Sequence, residues 1–283
     1  MNVIVTNIQR SSFNDGPGLR TTVFFKGCSL HCPWCANPEN INPQVEWYYD
    51  SSICLRSKNS CICNSNCPVL SHSKIDDFNC IVHAVNSFGR SYNENELYNA
   101  VISDKQFWTN GGGITFSGGE PFLQLYKVDT LLKILKSEDI HLAVETCLFV
   151  PFDNIKNIIQ YIDLFYIDLK ILDRKLCTDI LGGDISLFYK NLKSICNLKK
   201  QIVYRIPLVP GYTATSENMQ MISFILENFK PLKVEYFNIH NMGDRKYELL
   251  KRKPFKVSKT ITDFSEINNM CKKFNIPYEY LKI

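Results

Sequence analysis

Thr21-Thr22-Val23-Phe24-Phe25-Lys26-Gly27-Cys28-Ser29-Leu30-His31-Cys32-Pro33-Trp34-Cys35 is the stretch on which the reading of the fold turns. Val and Phe dominate its first half and a glycine closes it, so residues 21–26 read as a buried strand. Loops at the carboxyl ends of such strands carry the chemistry of α/β folds. Here the loop holds Cys28, Cys32 and Cys35, spaced C-x3-C-x2-C. An iron–sulfur cube takes four ligands, so three thiolates leave one iron open to a substrate or cofactor. A partial zinc site, completed by His31 or a distant cysteine, is the alternative, although structural zinc usually shows two cysteine pairs. Burial as small hydrophobes suits the three less well, with Lys26, His31 and Pro33 among them.

The chain has 283 residues, enough for one large domain with an insertion or for two small domains. Met1 to Arg10 holds no long apolar run, and no stretch approaches the ~18 apolar residues a membrane helix needs. The expectation is a cytoplasmic protein with no membrane partner. Twelve cysteines then point to metal or redox use in a reducing compartment, and eight of them precede residue 81. Cys147, Cys177, Cys196 and Cys271 are scattered and read as single buried thiols. The net charge of +4 implies little, and no nucleic-acid-binding module is present. The basic run from Arg245 to Lys259 is interleaved with Tyr247, Leu249, Leu250 and Phe255, and reads equally as a solvated face or a docking surface.

Val3 to Ile8 reads as a strand and Asp15-Gly16-Pro17-Gly18 as a turn into residues 21–26. Between Glu46 and Arg90 five cysteines, many Ser and Asn, and weak periodicity suggest a small unit held by metal more than by a core. Asn93 and Glu96 form a capping box for a helix carrying Leu97, Ala100 and Val101. Gly111-Gly112-Gly113 leads into a strand at Ile114 to Phe116. Helices near 123–137, 152–161, 185–199 and 216–229 then alternate with strands near 140–145, 163–169, 201–208 and 233–239. A helix near 263–274 and a strand near 277–282 follow. Alternation implies parallel pairing through right-handed crossovers. Six βα units from residue 21 are too few to close an eight-fold barrel. The expected fold is α/β, a partial (βα)6 TIM-like barrel that is open laterally. Its parts are 1–45 with the cysteine loop, 46–90 as a cysteine-rich insertion after the first strand, and 91–283 as the rest of the barrel. The opening would admit a loop of a bulky protein substrate.

Polar residues at the other strand ends should face the same cavity. The second strand ends in Ser117-Gly118-Gly119-Glu120-Pro121, where paired glycines permit close backbone approach and a carboxylate can receive an ammonium group. A simple strand-to-helix turn is the plainer reading. The third ends in Glu145-Thr146. The fourth gives Asp168-Leu169-Lys170, whose alternation sets Asp168 and Lys170 on one face among apolar residues, asking for a ligand. A surface ion pair is the plainer reading there. Arg205 lies within an apolar strand and is costly unless paired or facing the cavity. Asn238-Ile239-His240 ends the sixth, and a lone His is usually structural. Trp34, between two thiols, packs either on a ligand or into the core.

Asp15-Gly16-Pro17-Gly18-Leu19-Arg20, Phe24, Gly27-Cys28, Cys32, Cys35 and Asn37-Pro38-Glu39 together resemble the opening of the glycyl-radical-enzyme activating enzymes, a branch of the radical S-adenosylmethionine (SAM) enzymes. Ala36 departs from the His many relatives carry. The resemblance implies a [4Fe-4S] cluster on Cys28, Cys32 and Cys35, and a cofactor site at Trp34, Cys35, Ala36, Gly118, Gly119, Glu120, Glu145, Asp168, Leu169, Lys170, Arg205 and His240. Gly118-Gly119-Glu120 matches the element that holds the SAM amino group. Asp163 to Asp173 matches a segment whose Asp-Leu-Lys contacts the SAM carboxylate, Lys170 supporting, and can bind a monovalent cation with the preceding strand's acid. Glu145 stands where an Asp is common. No side-chain acid or base is required. The implied reaction is one-electron cleavage of SAM to methionine and a 5′-deoxyadenosyl radical, which takes hydrogen from a glycine α-carbon of a partner glycyl-radical enzyme. A flavodoxin or ferredoxin would supply the electron, and an exposed open cluster would be oxygen-labile, suiting an anaerobic setting.

Many relatives carry a ferredoxin-like insertion with two C-x2-C-x2-C-x3-C runs. This chain has Cys54, Cys61, Cys63 and Cys67 spaced x6, x1 and x3, then Cys80. Five cysteines allow at most one auxiliary [4Fe-4S] cluster, and a degenerate remnant or a zinc site is the alternative. Two rival functions remain: radical SAM chemistry on a small molecule, and a non-catalytic electron-transfer or zinc protein. The latter leaves Gly118-Gly119-Glu120, Asp168, Lys170 and Arg205 unexplained.

Overall fold

A computed structural model describes residues 1–58, 61, 67, 80–256 and 260–282. In chain order it gives β1 (Val3–Ser12), β2 (Arg20–Phe25), β3 (Glu46–Tyr49), β4 (Val85–Phe88), β5 (Arg90–Tyr92), α1 (Glu94–Ile102) and β6 (Gly113–Gly118). Then come α2 (Asp129–Ser137), β7 (His141–Thr146), β8 (Leu164–Asp168), α3 (Ile185–Asn197), β9 (Gln201–Leu208) and α4 (Ser216–Asn228). The last are β10 (Lys233–Asn238), α5 (Asp244–Leu249), α6 (Ser265–Lys273) and β11 (Tyr278–Tyr280).

Among the described residues nine strands form one sheet in the order β11-β10-β9-β8-β7-β6-β2-β1-β5. From β2 through β11 every pairing is parallel, and β1 runs antiparallel to both neighbours. The order is linear, with β11 and β5 at its edges, so the α/β sheet is consistent with a partial barrel. Strands β3 and β4 pair only with each other and bracket the cysteine-rich stretch.

Local chemistry explains the elements. The side chain of Asn93 accepts from Glu96 N–H while Glu96 accepts from Asn93 N–H, closing the capping box on α1. The interior strands bury both faces, as Ile114, Phe116, Val144, Phe165 and Ile206 show, which is why they read as apolar runs. Two expected helices differ. Residues 152–161 form only the short 3-10 turns Phe152–Asn154 and Ile159–Tyr161. Ile155, Ile158, Ile159 and Ile162 still bury at helical spacing, but Asn and β-branched Ile have low α-helix propensity and the segment closes only short 3-10 turns. Residues before Asp129 wind as Pro121–Leu123 and Leu125–Val128. There Gln124 turns inward, accepting from Ile4 N–H and donating to the Ile4 and Lys26 carbonyls.

Arg20 fixes the start of the sheet. It is fully buried and donates to Thr115 Oγ1 at 2.7 Å, the Ile114 carbonyl at 2.7 Å and the Pro17 carbonyl at 3.1 Å. Asp15 Oδ2 accepts from Ser12 and Thr22, so the turn before β2 is held at both ends. Arg20→Met keeps the bulk and strands these acceptors. We expect it to lose about 3 kcal/mol of stability, read as a lower denaturant midpoint with an unchanged slope; a change below about 0.5 kcal/mol would contradict this account of Arg20.

Candidate cluster and cofactor site

The cysteine loop leaves β2 at Gly27, whose φ of +99° suits glycine. Gly27 N–H donates to the Asn40 carbonyl, Cys28 N–H to the Ile41 carbonyl and His31 N–H to the Leu181 carbonyl. Gly119 and Glu120 N–H groups donate to the carbonyls of Phe25 and Gly27, locking the end of β6 against the loop. The paired glycines serve that contact. A Cβ on Gly118 would fall 2.3 Å from Phe25 N, and one on Gly119 2.2 Å from Gly27 O. The close approach is thus made by the chain itself.

Cys28, Cys32 and Cys35 line one cavity of about 240 Å³. Trp34, Ala36, Gly118, Gly119, Glu145, Asp168, Lys170, Arg205 and His240 line it too, so residues from six strands and the loops after them meet there. Two candidates stand apart. Leu169 is buried, with its N–H donating to the Arg205 carbonyl. Glu120 is wholly buried behind Thr146 and Cys147, which line the cavity, and does not itself line it. Its carboxylate accepts from Thr146 Oγ1, Cys147 N–H, the Cys147 thiol and Phe122 N–H. It ties β6 to β7 from beneath the cavity wall.

The cavity is strongly charged. Lys170 Nζ donates to Asp168 Oδ2 at 2.9 Å. Burial alone would lower the Lys170 pKa, but Asp168 and the neighbouring thiols hold it well above its ordinary value, so it keeps its proton. Burial pushes Cys32 up to about 12 and Cys35 up to about 11, while the contact with Cys147 lowers Cys28. A bound metal takes thiols as thiolates whatever their resting pKa. His240 is lowered by burial and then by Lys246; its Nδ1 accepts from Met242 N–H at 3.2 Å, leaving Nε2 to donate. Glu145 is taken by the Arg205 guanidinium and by Ser117 Oγ at 2.5 Å. Trp34 faces the cavity and also packs on Tyr212 and Phe255, at 5.2 and 6.4 Å between ring centroids.

The basic run has a third role that the sequence did not suggest. Lys246 donates to Glu39 and Asn37, both at 2.7 Å, and Arg252 to Glu46 and the Pro38 carbonyl. Tyr247 OH donates to the Cys35 carbonyl at 3.0 Å. Helix α5 and the residues after it therefore clamp the cysteine loop. Cys147 also lines the cavity, a fourth thiol beside the trio. In the insertion, Cys54 and Cys80 are buried with Ala84 and Val85, Cys67 is buried and Cys61 half-buried. Cys63 lies outside the described residues.

Among the described residues no three Cys, His, Asp or Glu side chains converge to hold a single ion. A cube does not require one common point, since each iron takes its own thiolate. The fit to such a group rests on the donor set, three soft thiols facing one cavity with polar groups opposite them. The chain matches the model of the radical SAM superfamily over residues 22–222. It is 32% identical over 274 residues to the trans-4-hydroxy-L-proline dehydratase activating enzyme of Clostridioides difficile, covering 89% of each chain. The chain belongs to the glycyl-radical-enzyme activating enzymes of the radical SAM superfamily. Pyruvate formate-lyase 2-activating enzyme of Escherichia coli K12 is 32% identical to this activating enzyme over 247 residues, covering 87% of this chain and 80% of that one. A radical SAM methyltransferase from Sphaerobacter thermophilus shares the fold, with a TM-score of 0.56 at 14% identity, covering 98% of this chain and 76% of that one.

Glu120→Ala should cost about 3 kcal/mol, because it strands four buried donors, and Glu120→Gln less. Unfolding of the metal-free protein measures both. Full stability in Glu120→Ala would contradict this anchoring role.

Proposed function

We propose that this enzyme activates a glycyl-radical enzyme, with Cys28, Cys32 and Cys35 holding a [4Fe-4S] cluster and the facing strand ends holding SAM. The bound cluster and SAM supply one-electron cleavage to a 5′-deoxyadenosyl radical, which takes hydrogen from a glycine of the partner. The observation that carries the reading is the shared cavity: one thiol loop and the ends of five further strands face the same space.

The residues divide the work by chemistry. Lys170, charged and paired with Asp168, offers an ammonium to the SAM carboxylate, and His240 Nε2–H is a second donor. Trp34 and Ala36 flank the loop where the adenine would lie, and Gly118 and Gly119 present backbone. Leu169 contributes through its main chain. Glu120 holds the floor by anchoring Thr146 and Cys147. Cys32 is buried and Cys28 and Cys35 are half-buried in the cavity, a recess that a bound cofactor would close further against water, protecting a reactive radical from side reactions. A monovalent cation beside Asp168 and Glu145 is disfavoured, since both carboxylates already meet fixed cations. A bound auxiliary cluster would draw on Cys54, Cys61, Cys63, Cys67 and Cys80 within an insertion spanning 46–90, between the parts 1–45 and 91–283. An open partial barrel suits entry of a glycine loop, flavodoxin or ferredoxin suits the electron supply, and the thiol count suits an anaerobic cytoplasm.

Anaerobic reconstitution with iron and sulfide, followed by SAM and dithionite, should release 5′-deoxyadenosine, detected by mass spectrometry. Cys28→Ala or Cys32→Ala should abolish the release. Release that survives both substitutions would contradict the ligand assignment. Iron analysis should give at least about four atoms per chain from the trio's cluster; about eight, falling to about four in Cys67→Ala, would add one auxiliary cluster, and about four in the unaltered chain would remove it.

A further inference from the structure

Arg205 on β9 and Glu235 on β10 are register partners on parallel neighbouring strands, so both side chains point to one face of the sheet. Arg205 Nε donates to Glu235 Oε2 at 2.9 Å, one terminal nitrogen pairs with Glu145, and the other donates to the Asn14 carbonyl at 2.7 Å. Its guanidinium carbon lies 4.2 Å from the centroid of the Tyr166 ring. Every edge of the fork is engaged, and the plane has one orientation.

This fork forms part of a wall. On one side is the thiol cavity; on the other is a second cavity of about 1040 Å³, lined by Asn14, Asp15, Tyr166, Lys233, Glu235 and Glu279 among others. Arg205 and Phe237 are the residues common to both linings. Glu235 touches only the second. It is 7% exposed, and Lys233 Nζ lies 3.2 Å from its other oxygen and also pairs with Glu279. Charges therefore alternate from Glu145 through Arg205, Glu235 and Lys233 to Glu279, beginning at the thiol cavity and ending at the sheet edge.

We propose that Glu235 is a positioning residue for the cofactor site, holding the Arg205 fork so that it seals the wall and fixes Glu145 on the thiol side. The inference rests on the reading that SAM occupies the thiol cavity. Neutralising Glu235 leaves Arg205 a single carboxylate partner and frees its plane to turn. Glu145 then pairs with a fork no longer fixed at its Nε, although no residue confined to the thiol cavity has been changed.

The test is SAM binding by equilibrium dialysis on anaerobically reconstituted protein. Glu235→Gln, which conserves shape, should bind SAM about tenfold more weakly, the scale of one charge-assisted hydrogen bond. Arg205→Lys should weaken binding by a similar factor, and the double variant should be no weaker than the worse single, because both act through one contact. Glu279→Gln, at the exposed end of the row, should bind as the unaltered enzyme does. A merely structural Glu235 would lower the unfolding midpoint and leave the dissociation constant and its non-additivity unmoved. Unchanged SAM affinity in Glu235→Gln, or losses that multiply in full in the double variant, would overturn the inference alone. No SAM binding by the unaltered protein would overturn the reading of the thiol cavity, and this inference with it.

Discussion

Gly27 donates its N–H to the Asn40 carbonyl and accepts from Glu120 N–H, and Gly119 N–H reaches the Phe25 carbonyl. Those three main-chain bonds fasten the thiol loop to the ends of two adjacent parallel strands. Each contributes about 1 kcal/mol at most, yet each requires backbones closer than any side chain at residues 118 and 119 allows. The position of the three thiols is therefore set by packing that is intolerant of small errors. A ligand site with a vacant corner needs that rigidity, since nothing but the protein holds the trio in place before the cofactor arrives.

Two further layers preserve the geometry. Outside the loop, Lys246, Tyr247 and Arg252 reach back over two hundred residues of sequence to Glu39, Cys35 and Glu46. Inside, Lys26 is fully buried and donates to Glu46 and to the Glu39 carbonyl. Burying so many ions is expensive, and it is sustained here because each has a fixed partner of opposite sign or several carbonyls. The opposite wall follows the same rule, with Arg205 between Glu145 and Glu235.

Much of this was legible in the sequence because it is local. The continuous apolar runs located β6 to β10, and the Asn93–Glu96 pair located the start of α1. Strand-end logic brought Cys28, Gly118, Asp168, Lys170 and His240 to one cavity. What stayed hidden depends on partners remote in sequence. The inward turn of Glu120 is decided by Thr146 and Cys147, and the task of the basic run by Glu39 and Glu46. Glu235 carried a usable signal: a carboxylate in the apolar run Val234–Phe237, one strand over from a costly Arg205. The short turns at 152–161 kept their buried isoleucines and lost only the helix, since spacing fixes the face and not the winding.

The central claim is that three thiolates leave one iron corner for SAM. Electron paramagnetic resonance of the anaerobically reconstituted, dithionite-reduced protein, recorded before and after adding SAM, addresses it most directly. A reduced [4Fe-4S] signal whose line shape changes when SAM is added is the predicted result. An unchanged signal, or zinc in place of iron at Cys28, Cys32 and Cys35, would contradict the account.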